Sequence, residues 1–345
     1  MPTRQSKSTA APTAAVTESP TSMPGSKAKK KPKARPKSDP LSLVCILWVM
    51  IAVAVLAVLV DALLLSAWGT DPAVPAALPY VSSYDVVATH PHDPSAFTQG
   101  LVFSSDGTLY ESDGLFGKSA VRSVDVESGN SLIRTPNEHA MFGEGIDVVD
   151  DVLVQLTWKN NIINEFELPT LKLKRSLTVQ IGAEGWGLAV GNGSALYVTD
   201  STDALFHVQR HKESGEYEVT KKLRIADRAL GGKPIHGVNE LEMVGGELWG
   251  NVYPMYQRKH SECLVRIDPL TGDVLGWVML NGLLRRQRTE VRRDPMNHPL
   301  NGIAYHEPTQ RLYVTGKKWD HMYQIRAKPA PDLGTEDVLR RCGLG

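Results

Sequence analysis

The stretch Phe142-Gly143-Glu144-Gly145-Ile146, answered after a short turn by Val152-Leu153-Val154-Gln155, decides the fold because the chain repeats it. A polar or aromatic residue beside a small one opens an apolar strand, and a second apolar strand returns after the turn. Four other segments open in the same way: Phe97–Leu101, Gly185–Leu188, Val238–Glu242 and Leu300–Ile303. Repeated short strands separated by turn residues are typical of an all-β repeat architecture.

The spacing of the five openings sets the architecture. Aligned on Gly100, they follow one another at intervals of 45, 42, 54 and 61 residues. Four short antiparallel strands per ~40–50 residues are the signature of a β-propeller blade. The sequence therefore predicts an all-β, five-bladed β-propeller, with an inserted basic loop around Arg285–His298 in the longest interval. A two-sheet sandwich stays open as an alternative, although it would not explain the repetition.

The chain ahead of the repeats predicts a membrane anchor. Residues 1–40 carry nine Lys or Arg against two acids and are rich in Ser, Pro and Ala, which predicts a disordered basic tail. Leu41–Val60 is uncharged and long enough to cross a bilayer, so residues 41–68 are predicted to be a transmembrane signal-anchor. Residues 69–83 are predicted to be a stalk, 84–330 the five-bladed propeller, and 331–345 a C-terminal tail.

The flanking charges predict the topology. Basic residues precede the apolar segment, so the positive-inside rule places the N-terminus in the cytosol. We expect a single-pass type II membrane protein whose propeller domain is lumenal or extracytoplasmic, in the ER or Golgi of a eukaryote. On that oxidising side Cys263 and Cys342 either pair or remain free, and Asn192-Gly193-Ser194 is a glycosylation sequon. Residues 69–345 carry 29 basic and 35 acidic residues, which argues against nucleic acid as a partner.

Equivalent positions of the blades form a ring around the mouth of a propeller channel. Here that ring consists of Gln99, Glu144, Trp186, either Asn239 or Glu240, and Asn301. Desolvation would raise the pKa of Glu144, as a proton shuttle requires, while a nearby lysine such as Lys317 would oppose the rise. In the alternative interpretation these polar groups only bind one another across a wet channel, and Lys317 is a surface residue. Glu111 starts no repeat, so its replacement should have a weaker effect on function than replacement of Glu144.

Several site types have no motif in this sequence. There is no Gly-x-Ser-x-Gly elbow, no His-Glu-x-x-His pair and no Gly-rich phosphate loop. The sequence therefore predicts neither a catalytic metal nor a cofactor.

Over residues 84–327 the sequence resembles the plant-type glutaminyl-peptide cyclotransferases, which are five-bladed propellers. The stretches that carry the resemblance are Pro91–Leu101, Tyr110–Gly117, Phe142–Gly145, Thr157–Asn160, Gly185–Leu188, Asn239–Glu242, Leu300–Ala304 and Thr315–Trp319. The resemblance implies conversion of N-terminal Gln in peptides or proteins to pyroglutamate, with release of ammonia and without a metal. It implies Glu144 as general acid/base, with Lys317 and Asn239 as catalytic hydrogen-bond donors. The expected substrate-binding residues are Phe97, Gln99, Phe142, Trp158, Trp186 and, from the ring, Asn301.

One departure from the family pattern concerns a wall of the pocket. The family often has Asn-x-Trp where this chain has Asn251-Val252-Tyr253, and the loop Pro254–Glu262 is longer, which bears on substrate preference. Two other functions stay open. One is a metal-dependent lactonase or ester hydrolase that uses Glu144, Asn239 and Asn301 as ligands, and the other is a propeller that binds a partner without catalysis.

Overall fold

The computed structural model describes residues 48–53, 55–56, 77–253 and 260–344, and it divides the chain into units Met1–Thr70 and Asp71–Gly345. In the first unit the described residues 48–53 and 55–56 are helical, and large apolar side chains such as Trp48 and Leu56 are exposed. No helix within the described ranges combines the length and the apolar character needed to cross a membrane. The predicted tail, the remainder of the predicted anchor and residues 69–76 of the predicted stalk lie outside the described residues.

The second unit is almost entirely β-structure. Strand β1 (Val81–Pro91) comes first. Sheet 1 contains β2 (Thr98–Phe103), β3 (Leu109–Asp113), β4 (Ala120–Val124) and β5 (Ser131–Pro136), and sheet 2 contains β6 (Gly143–Val149), β7 (Val152–Thr157), β8 (Ile162–Glu167) and β9 (Lys172–Thr178). Sheet 3 contains β10 (Leu188–Val190), β11 (Ala195–Thr199), β12 (Ala204–Arg210) and β13 (Tyr217–Arg224), and the short pair β14 (Ala226–Asp227) and β15 (Lys233–Pro234) follows it.

The remaining eight strands form one continuous sheet, whose two halves are named sheet 4 and sheet 5 here. Sheet 4 contains β16 (Val238–Val244), β17 (Glu247–Val252), β18 (Cys263–Ile267) and β19 (Val274–Met279), and sheet 5 contains β20 (Leu300–His306), β21 (Arg311–Gly316), β22 (His321–Pro329) and β1. Strand β1 pairs antiparallel with β22, and it also pairs in parallel with β19 through Val81–Trp277 and Ser82–Val278. The first strand of the domain therefore completes its last sheet and binds it to sheet 4.

The first strand of each sheet contacts its counterparts in a closed ring. Strand β2 contacts β6, and the contacts continue through β10, β16 and β20 back to β2. This arrangement, in which the strands of each sheet except β1 follow one another in chain order, is consistent with a β-propeller and not with a two-sheet sandwich. The long interval before β20 holds a 3₁₀ turn (Leu284–Arg286) and the helix α1 (Thr289–Arg293), in the place where the sequence predicts an insertion.

Glycines allow the inner strands to approach one another. A Cβ atom on Gly145 would lie 2.6 Å from the backbone nitrogen of Leu188, and one on Gly187 would lie 2.1 Å from the carbonyl oxygen of Asn239. A Cβ on Gly100 would likewise lie 2.6 Å from the nitrogen of Ile146. Side chains at these positions would push neighbouring sheets apart, which explains why small residues recur at the strand openings.

The domain extends beyond the predicted boundaries at both ends. Its first strand begins at Val81, inside the predicted stalk, because the alternating apolar residues from Val81 onward pack against β22 and β19. The predicted tail 331–345 contains the helix α2 (Thr335–Arg341), and Val338 and Leu344 are buried in the same cluster as Trp277. Cys342 forms a disulfide with Cys263, with Cα atoms 5.4 Å apart, which resolves the alternative that the sequence leaves open.

Candidate active site

Four of the ring residues occupy the same position in their inner strands. Gln99, Glu144, Asn239 and Asn301 are each the second residue of β2, β6, β16 and β20. The pairing register shifts at this position in all four strands. Bulges of this kind re-aim a side chain and are common beside functional sites. The repeated bulge therefore sets these polar side chains at one end of the ring.

Glu144 is buried without a partner for one carboxylate oxygen. The residue is 3% exposed, and among the described residues its Oε2 atom has no hydrogen-bond partner. Burial raises the pKa of Glu144 well above its usual value; the charge of Lys317 opposes the rise and that of Glu184 adds to it. Both effects that the sequence predicts, desolvation and an opposing lysine, are confirmed in direction.

Lys317 is also buried, so the alternative that it is a surface lysine is wrong. It follows β21 directly and is 1% exposed. Its Nζ atom donates to the Thr98 carbonyl at 3.0 Å and to Oε1 of Gln99. Burial lowers the pKa of Lys317 to about 7, although the carboxyl groups of Glu144 and Glu240 oppose this change. Near neutral pH the group therefore exists in both charge states.

Aromatic side chains form two groups beside these charges. Phe142 lies between Phe97 and Trp158, with ring centroids 6.3 and 5.5 Å away, and Phe116 adds a half-exposed ring 5.4 Å from Phe142. The Lys317 Nζ atom lies 4.8 Å from the centroid of Phe97. Sequence reasoning did not select Phe116, because its stretch Gly114–Gly117 also has the form of a simple turn.

The second aromatic group consists of Trp186 and Tyr253, whose rings meet edge to face at 5.9 Å. Trp186 is buried, while Tyr253 is half-buried. Burial and the charge of Glu144 raise the pKa of Tyr253. The tyrosine that departs from the family pattern therefore lies within electrostatic reach of Glu144.

The two ring asparagines differ in their surroundings. Among the described residues, Oδ1 of Asn239 is buried and has no hydrogen-bond partner. Asn301 donates from Nδ2 to the Thr98 carbonyl at 2.9 Å and accepts at Oδ1 from Asn251 at 3.0 Å. Asn301 therefore holds the carbonyl that binds Lys317, while Asn239 keeps an unused acceptor.

A buried ionic network binds the side-chain hydroxyl of the same residue, Thr98. Glu111 is fully buried, accepts from the hydroxyl of Thr98 at 2.7 Å and pairs with Arg122 at 2.7 Å and His92 at 3.1 Å. Removing one partner of a buried ion pair is strongly destabilising. Glu111 therefore contributes to stability, while the expectation that its replacement affects activity less than that of Glu144 stays a prediction.

The opposite end of the inner strands forms a cavity of about 880 Å³. Asp147, Glu242 and Tyr305, near the ends of β6, β16 and β20, are among the residues that line it. Oε1 of Glu242 accepts from the backbone nitrogen of Tyr305 at 3.2 Å. This cavity contains none of the predicted site residues. Across the described ranges, no three His, Cys, Asp or Glu side chains converge as ligands for a metal ion.

Residues 59–327 match the family model described as glutamine cyclotransferase. The chain belongs to the glutamine cyclotransferase family. This family member is 34% identical over 265 residues to the glutaminyl-peptide cyclotransferase of Arabidopsis thaliana, an alignment that covers 76% of this chain and 77% of the plant protein. It also superimposes on the crystal structure of Myxococcus xanthus glutaminyl cyclase with a TM-score of 0.61 and 28% identity, over 72% of this chain and 98% of the bacterial one. The family resemblance predicted from the motifs is confirmed.

Membership of the cyclotransferase family also bears on the lactonase alternative. That alternative needs oxygen atoms of Glu144, Asn239 and Asn301 to converge on a cation. In this cyclotransferase-family chain the side-chain oxygen of Asn301 accepts a hydrogen bond from Asn251, which occupies one of its two lone pairs.

Proposed function

We propose that this chain is a glutaminyl-peptide cyclotransferase, which converts the N-terminal Gln of peptides or proteins to pyroglutamate and releases ammonia. The observation that carries the proposal is the buried carboxyl group of Glu144, with an unpartnered oxygen among the described residues, close enough to Lys317 for their charges to interact. Family membership indicates which reaction the chain catalyses, and the residues of the site are chemically suited to that reaction.

The reaction is an intramolecular substitution. The α-amine of the substrate attacks its own side-chain amide carbon, the new C–N bond closes a five-membered ring, and the bond to the amide nitrogen breaks. Glu144 accepts a proton from the attacking amine and delivers it to the departing nitrogen, which leaves as ammonia. A carboxyl group whose pKa is raised by burial suits both steps.

Positioning is the larger part of the task because both reacting groups belong to one residue. The rings of Phe142, Trp158 and Trp186 enclose the side chain and exclude water. Lys317, when protonated, has three donors, and two of them have protein partners in Thr98 and Gln99. The third, together with the amide of Asn239, would stabilise the carbonyl oxygen as it gains negative charge.

The proposal includes a five-bladed propeller. Its support is the ring of five inner strands, the three separate four-stranded sheets, and the parallel contact of only two residue pairs that divides the eight-stranded sheet into sheets 4 and 5.

The decisive experiment is ammonia release from a Gln-initiated peptide by the full-length protein, with and without a chelator. The proposal expects equal release in both conditions, since no step above requires a metal. Loss of activity with the chelator and recovery with a divalent cation would support metal-dependent chemistry instead. Binding of the peptide without any ammonia release would indicate a non-catalytic propeller.

We further propose that residues 41–68 anchor the chain as a type II membrane protein with its catalytic domain outside the cytosol. The basic tail and the uncharged segment Leu41–Val60 support this topology. The Cys263–Cys342 disulfide supports an oxidising compartment. Protease treatment of sealed vesicles should leave the domain intact, and Asn192 should carry a glycan in a eukaryotic host. Digestion of the domain from the cytosolic side would refute this topology.

A further inference from the structure

A second carboxyl group, that of Glu184, lies at the same site. Its side chain is 18% exposed, and its Oε1 atom lies 3.6 Å from the Nζ atom of Lys159. Its Oε2 atom is buried and has no hydrogen-bond partner among the described residues. Sequence reasoning did not select Glu184, because it directly precedes the strand opening at Gly185 and lies outside the repeated positions.

The backbone around Glu184 fixes its place between an aromatic wall and the strand that carries Glu144. The next residue, Gly185, donates its N–H group to the carbonyl of Trp158 at 2.9 Å. The carbonyl of Trp186 accepts from the N–H group of Gly145 at 2.8 Å. The negative charge of Glu184 is also one of the causes that raise the pKa of Glu144.

The ion pair with Lys159 is too weak to compensate for the partial burial of the Glu184 carboxylate. The Lys159 side chain is 55% exposed, and at 3.6 Å its nitrogen is beyond ordinary hydrogen-bond distance from Glu184. Lys159 also lies over the ring of Trp158, with Nζ 4.0 Å from its centroid. Exposed pairs of this kind contribute little, so a better-placed cation would displace Lys159.

A Gln-initiated peptide brings such a cation. Its α-amino group has a pKa of about 7.7–8.0 and is mostly an ammonium ion at neutral pH. Burial raises the pKa of Glu144, which disfavours its negative charge, and the cationic form of Lys317 repels an ammonium ion, so these two groups by themselves attract it poorly. A second carboxylate beside Glu144 would hold that group where Glu144 can take its proton.

We propose that Glu184 binds the α-ammonium group of the substrate and directs it toward Glu144. This inference rests on the proposed function and assigns Glu184 to recognition of the charged N-terminus. When the substrate displaces Lys159 from Glu184, this carboxylate forms a cation subsite at the edge of the pocket.

Two probes of equal size separate recognition of charge from recognition of shape. A peptide that begins with norleucine keeps the ammonium group but cannot cyclise, and the same peptide beginning with a hexanoyl group lacks the ammonium. The dissociation constant Kd of each is measured by titration calorimetry on the full-length protein. Glu184→Gln should weaken binding of the norleucine peptide roughly tenfold or more and change that of the hexanoyl peptide less than about twofold.

Lys159→Met is the matched control, since it removes the competing cation from the same pair. It should leave the affinity for the norleucine peptide unchanged or increase it, and this result is informative even if Glu184→Gln does not fold. Equal weakening of both peptides by Glu184→Gln, no effect on either, or weaker norleucine binding in Lys159→Met would overturn the inference. Calorimetry reads binding alone, so absence of ammonia release by the unmodified protein would count against the proposed function separately.

Discussion

Replacing Glu144 by Gln keeps the size of the side chain and its capacity for hydrogen bonding but removes its ability to carry a proton. The carboxyl group is 3% exposed and one of its oxygens has no partner in the described part of the chain, so the change leaves no cavity and breaks no ion pair in direct contact. General acid–base groups contribute roughly 10²–10⁴-fold to rate. Turnover of a Gln-peptide should therefore fall at least about a hundredfold, with a small change in KM.

The stability of the Glu144→Gln variant should not fall with its turnover. The pKa of Glu144 is higher in the folded chain than in an unfolded one, where it is about 4.3. The folded state therefore holds more protons above that pH, and the free energy of unfolding declines as the pH rises through the raised pKa. The Gln variant lacks this decline, so at pH 8 it should melt at the same temperature as the unmodified protein or higher.

A matched control is available at the other end of the inner strands. Glu242 is also a buried carboxyl group in an inner strand, and burial raises its pKa as well, but it lines the cavity opposite the site. Glu242→Gln should keep turnover within a few-fold of the unmodified protein. Both variants are assayed for ammonia release on one Gln-peptide, with circular dichroism to confirm folding. A folded Glu144→Gln protein that retains turnover within a few-fold would refute the proton-shuttle role.

Three further expectations follow from other parts of the molecule. Lys317→Met should lower turnover. The free energy of unfolding of the unmodified chain should rise between about pH 7 and about pH 10.4, the pKa of an unfolded lysine, and urea titrations should show that the variant lacks this rise. Cys342→Ser should reduce the free energy of unfolding by about 4 kcal/mol, because the disulfide closes a loop across 79 positions, and the folded fraction should stay active in the same assay. Residues 69–345 expressed alone should cyclise a Gln-peptide within a few-fold of the full chain; a folded but inactive product would contradict this.

The sequence predicts the inner strands well because their signal is local and repeated. A small residue beside a polar one marks each opening, and Gly145 and Gly187 lie where neighbouring sheets meet. Phe142 and the flanking glycines also predict a partly apolar setting for Glu144, and the structure shows that the residue is buried.

Other features depend on partners that are distant in the chain. The role of β1 is set by its pairing with β22, and no local pattern reveals a partner at the far end of the domain. Asn301 and Asn239 occupy equivalent positions, yet only the packed structure shows that Asn251 occupies the oxygen of Asn301. Lys317 and Lys318 are identical in type, and only the turn after β21 decides which of them is buried.

The closure of sheet 5 by β1 has a consequence for biosynthesis. Ser82 pairs with Pro329, so the first strand to leave the ribosome waits for almost the whole domain before its partner exists. Lys317, just ahead of β22, arrives late as well, and until then the pocket around Glu144 lacks its cation. During synthesis the nascent chain therefore exposes unpaired strand edges, which are prone to wrong pairing, and it has no complete site. Under the proposed mechanism, activity therefore requires the last sheet to close, and the late stage of folding is when misassembly of the exposed edges is the main risk.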